Sequence, residues 1–115
     1  MRRFGQLSFV RATETSMTQS IDQIRFLCGE MRKVLDAYSA GNVEVSALAD
    51  GLETLINALA GFADRAWVEE MRTVWGGIEI PYAVSLDEGR SELTSDERRS
   101  VDDAVAALRS MLDEY

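Results

Sequence analysis

Apolar residues recur along this chain at steps of three and four, the spacing that keeps side chains on one face of an α-helix. The first stripe is Ile21, Ile24, Cys28, Met31, Leu35 and Tyr38, widened by Leu27 and Val34. Thr18 or Ser20 can cap its start, and Gly41 suits the left-handed residue that ends helices, so the spacing predicts a helix over 19–40. A second stripe, Leu48, Leu52, Leu55, Ile56 and Leu59, predicts a helix with Ser46 as N-cap and Gly61 as its stop. Gly51 inside it is a mild weakness or a point of close packing.

Asp64 is a good N-cap for a third stripe, Trp67, Met71, Val74, Trp75, Ile78, Tyr82 and Leu86, whose phase carries through Pro81. Proline in a helix removes one hydrogen bond and crowds the carbonyl four residues back, here that of Gly77, and Gly76 adds further weakness. One long helix over 65–88, kinked near Gly77 to Pro81, is expected over two separate helices; a strand at Ile78-Glu79-Ile80 would have no partner. Gly89 ends the element. Thr94-Ser95-Asp96-Glu97 is a capping box, leading into a fourth helix with Val101, Ala104, Val105, Leu108, Met111 and Leu112. Four amphipathic helices joined by short loops predict an all-α fold, an antiparallel four-helix bundle. The tryptophans, with Tyr38 and Tyr82, belong in or at the edge of its core, their polar tips seeking partners.

The bundle accounts for residues 17–115 of the 115, as one domain. Residues 1–16 precede the first stripe and are expected to be a poorly ordered extension. Arg2 and Arg3 open that segment, but Phe4 to Val10 is too short and too broken for a secretory signal, and no apolar run is long enough to span a membrane, so a cytoplasmic protein is expected.

Composition narrows the chemistry. The chain has no histidine and a single cysteine, Cys28, which removes the commonest general base and metal ligand and any internal disulfide. No enzyme activity, cofactor or metal is expected. Twenty acids against twelve bases give a net charge of −8, which disfavours nucleic acid and anionic membranes and favours a basic partner. Glu79 lies on or beside the third apolar stripe, where a tyrosine, a tryptophan N–H, or Arg25 or Arg32 could hold it. The other acids cluster as Asp50 with Glu53, as Asp87-Glu88 with Glu92, as Glu69 with Glu70 and as Asp102 with Asp103. The second cluster ends a helix, where the macrodipole disfavours anions, so it gains nothing locally unless Arg90 neutralises it. Asp50, Glu53, Glu79, Asp87, Glu88 and Glu92 are therefore the candidate partner contacts.

A helix ending in Val34-Leu35-Asp36-Ala37-Tyr38-Ser39-Ala40-Gly41, a Ser-capped helix carrying Leu52-Glu53-Thr54-Leu55-Ile56, and Trp67 followed by Trp75 to Asp87 resemble the small helical immunity proteins of the colicin-like group. These residues are also similar to immunity proteins of contact-dependent growth inhibition. The resemblance covers residues 18–112. It implies a protein that binds a cognate basic toxin, commonly a nuclease, and occludes its substrate cleft, with acids standing in for phosphates. Two other readings remain open. One is a structural or homo-oligomeric module burying Trp67 and Met71, or the Met17 to Phe26 region, against a copy of itself. The other is a small-ligand site lined by Glu79, Tyr82 and Trp75.

Overall fold

The computed structural model describes the backbone of residues 2–115 and the side chains of residues 20–115. The chain is all-helical, with α1 at Arg2–Ser39, α2 at Val45–Leu59, α3 at Arg65–Asp87 and α4 at Ser95–Leu112, and no strand among the described residues. α1 thus starts earlier than its apolar stripe predicts. The expectation of a loose extension over 1–16 falls outside the described side chains.

Four of the predicted termini form as their residue chemistry requires. Asp64 accepts a hydrogen bond from the Trp67 backbone N–H at 3.2 Å, opening α3. Thr94 and Glu97 complete the reciprocal capping box of α4. Gly41 closes α1 at φ 78°, with the N–H groups of Gly41 and Asn42 donating to the carbonyls of Tyr38 and Ala37. Gly89 repeats this arrangement after α3 at φ 65°. The ends of α2 differ from expectation. Its N-cap is Glu44, without a side-chain cap bond, and Ser46 lies inside the helix, because half-buried Val45 already packs on the core. Gly61 is not left-handed; α2 stops at Leu59, and the amides of Phe62 and Ala63 both return to the Leu59 carbonyl.

The core joins all four helices: Ile24, Cys28, Met31 and Leu35 of α1, Leu48, Leu52 and Ile56 of α2, Met71 and Ile78 of α3, and Val101, Leu108 and Leu112 of α4. α1 packs on α2 and α4, and α3 packs on α2 and α4. Two positions of the predicted stripes face solvent instead. Ile21 is 42% exposed, and Leu86 is 58% exposed. On α3 the inward line runs Ile78, Pro81 and Ser85, not Tyr82 and Leu86. A serine hides this phase from a hydrophobicity pattern, and it tolerates burial because its hydroxyl donates to the Tyr82 carbonyl at 2.7 Å.

α3 runs unbroken through Pro81, so it is one helix and contains no strand. Proline leaves the Gly77 carbonyl without its partner four residues on. The Ser100 hydroxyl of α4 donates to that carbonyl at 2.9 Å and replaces the lost bond. The approach is close enough that a Cβ on Gly77 would stand 3.2 Å from Ala104 Cβ. Ser100→Ala removes the substitute donor and should destabilise the protein by about 1–2 kcal/mol, read from denaturant midpoints at unchanged m-value. A midpoint equal to the parent's would show that water serves the carbonyl equally well.

Candidate functional site

The acidic candidates fall on two parts of the surface. Trp75 of α3 donates its indole N–H to the Ala49 carbonyl of α2 at 2.9 Å, and Arg72 donates to Asn57 Oδ1 at 3.0 Å. These bonds seat α3 against α2, and Asp50, which follows Ala49, is exposed. Glu53 and Trp75, with Ile56, Asn57 and Arg72, line a groove of about 350 Å³. Half-buried Glu79 lies one turn beyond Trp75 on the same side of α3. Two of the partners considered for Glu79 are engaged elsewhere: Arg32 donates to the Leu112 carbonyl at 2.6 Å, and Trp75 to Ala49. Trp67, by contrast, keeps its indole N–H buried without a partner while its ring meets Tyr115 edge-on, centroids 5.1 Å apart.

Asp87, Glu88 and Glu92 gather at the turn between α3 and α4, and all three are exposed. Arg90 organises this turn. It makes a two-pronged pair with Glu97 at 2.6 and 3.0 Å, meets Glu88 Oε2 at 2.7 Å, and donates to the Glu92 backbone carbonyl at 3.2 Å. Glu97 simultaneously accepts from the Thr94 backbone N–H at 2.8 Å, so one carboxylate both starts α4 and anchors the arginine. The local cost expected for acids at a helix C-terminus is therefore offset at Glu88. Arg90 does more here than neutralise neighbouring acids, since it ties the turn to the start of α4. The sequence signal for this is the capping box, which fixes the Glu97 carboxylate within reach of any cation across the short turn.

The Arg90 guanidinium and the Thr94 amide hold the Glu97 carboxyl down at about 2, and the hydrogen bonds to Glu97 and then to Glu88 raise Arg90 above its ordinary value. A depressed acid stabilises the fold above its unfolded pKa, and that contribution is lost as pH falls through its folded value. Glu97→Gln should thus lower the melting temperature at neutral pH, with the gap to the parent closing from about pH 4.5 to pH 2. A gap that stays constant to pH 2 would contradict this.

The described residues include a groove of about 520 Å³ at the same end of the molecule, lined by Tyr38, Val45, Tyr82, Leu86, Arg90 and Arg98 among others. Of these two grooves, Trp75 borders one and Tyr82 the other, and Glu79 lines neither. The Tyr38 hydroxyl is pushed up by burial and by Asp102, and the Cys28 thiol by burial, which keeps both protonated at neutral pH. No group of three or more acids or cysteines among the described residues is placed to hold a metal ion, and no described helix is long and apolar enough to cross a membrane. No known protein family, curated protein or solved structure matches the chain.

Proposed function

We propose that this protein is a non-enzymatic immunity protein, which binds a cognate basic toxin, a nuclease in the first instance, and blocks its substrate site. The observation that carries the proposal is the exposure of acids at two places, Asp50 and Glu53 on α2 and Asp87, Glu88 and Glu92 at the α3–α4 turn, on a chain of net charge −8. Acids displayed this way speed encounter with a basic surface and select against acidic ones. A rigid turn supports the role, since Arg90 presents Glu88 and Glu92 without a large ordering cost on binding. In this reading the protein acts in the bacterial cytoplasm, as bacteriocin and contact-dependent growth inhibition immunity proteins do, and carries no cofactor.

The scaffold we infer is an antiparallel four-helix bundle with α3 bent at Gly77 to Pro81. Three registers support it: Arg32 and Asp36 of α1 reach Leu112 and Arg109 of α4, Ala49 and Asn57 of α2 meet Trp75 and Arg72 of α3, and Gly77 and Arg90 meet Ser100 and Glu97.

The test is capture of the tagged protein with its partner from the host, with mass spectrometry and sizing at low and moderate salt. A salt-sensitive one-to-one complex in which a basic polypeptide loses its toxic activity is expected; a bare monomer or self-association alone would overturn the proposal. Within such a complex, reversing Asp87, Glu88 and Glu92 to lysine should slow association by about tenfold or more and leave the fold intact, with added salt reproducing the effect. Unchanged affinity would remove this turn from the interface. The alternative, a homo-oligomeric module, draws support from the exposure of Phe26 at 61%, but Trp67 and Met71, the other face considered for it, are buried within the chain.

A further inference from the structure

The outer ridge of α3 has no counterpart in the core. Ile80 is 64% exposed and Val84 is 39% exposed, one turn apart on the side away from buried Ile78 and Ser85. One turn before Ile80 stands Gly76, where an added Cβ would find only Ile80 Cδ1, at 3.9 Å, so the ridge begins in a shallow notch. Acids bracket it along α3: Glu79 stands next to Ile80, and Asp87 lies one turn beyond Val84. Arg72 and Arg90 donate within the protein, to Asn57 and to Glu97 and Glu88.

We propose that Ile80 and Val84 form the apolar centre of the docking surface, and that its occupant is a protein segment with an apolar face flanked by lysine or arginine. The inference rests on the basic-partner reading above and specifies where affinity, as opposed to steering, arises. Desolvated apolar contacts at the centre of an interface supply most binding energy, while surrounding charges set rate and specificity. Charge selects the occupant. A second copy laid on this ridge would bring its own Glu79 and Asp87 against the same acids, whereas basic flanks find complementary charge at both ends.

The test uses the full chain, labelled with ¹⁵N, and two synthetic helices of about 18 residues, long enough to fold on a surface. One carries leucines on one face and lysines elsewhere; the other has the same lysines with glutamine in place of leucine. At low salt the leucine-bearing helix should perturb the amides around Ile80 and Val84 and bind about tenfold tighter or more than its control. Ile80→Glu and Val84→Glu should each abolish that preference, while melting as the parent does because both side chains face solvent. Equal binding of the two helices, perturbation confined to other surfaces, or binding of neither would overturn the ridge, while capture from the host decides the toxin reading separately. A concentration-dependent dimer in sedimentation that Ile80→Glu dissolves would also overturn it, by assigning the ridge to a second copy.

Discussion

Leu52→Ala should lower stability by about 2–5 kcal/mol, a loss that displaces the melting temperature by about 10 °C or more for a domain of this size. Leu52 has no solvent-exposed surface and sits among Leu48, Ile56 and the buried residues of the facing helices. Truncation removes three heavy atoms from a packed interior and leaves a void that the helices, tied at Trp75–Ala49 and Arg72–Asn57, close only in part. Leu55, on the same predicted stripe, is half-buried and packs at the core's margin. Leu55→Ala should therefore cost clearly less. Equal losses at the two positions, or a shift under a few degrees at Leu52, would refute this assignment of the α2 face.

The second large effect is steric. Gly77→Leu should destabilise by about 1–3 kcal/mol, because a branched side chain there has to push α4 away from α3. Gly77→Ala offers a graded control. Its Cβ would meet Ala104 Cβ at 3.2 Å, so the neighbour must yield slightly, and that cost opposes the gain of about 1 kcal/mol from replacing glycine inside a helix. The alanine variant should lie near the parent and the leucine variant far below it, in denaturant midpoints. If leucine is tolerated as well as alanine, the two helices are not held at this separation.

The helices could be read from the chain because their apolar spacing and termini agree: Asp64, the Thr94–Glu97 box, Gly41 and Gly89 act through bonds within a few residues. Errors arose where tertiary packing decides. Ser46 has the chemistry of an N-cap, but burial of Val45 starts α2 earlier. Leu86 looks inward by composition, yet Ser85 holds the inward position because its hydroxyl is satisfied locally. For the candidate surface, the acids themselves were evident as clusters. Glu53 meets Trp75 through packing fixed by a bond between helices distant in sequence, Trp75 to the Ala49 carbonyl, which no local pattern encodes, whereas the grouping around Arg90 follows from the capping box a few residues on.

The serine that serves the Gly77 carbonyl also ties the folding of two helices together. An isolated α3 would have an unfilled backbone acceptor at its middle, next to two glycines, and would be a poor helix in water. Docking of α4 supplies the missing donor, so the central turn of α3 gains its full order only when Ser100 arrives. The two helices should consequently open to solvent as one unit, with amides flanking Gly77 and those around Ser100 exchanging hydrogen for deuterium at a common rate.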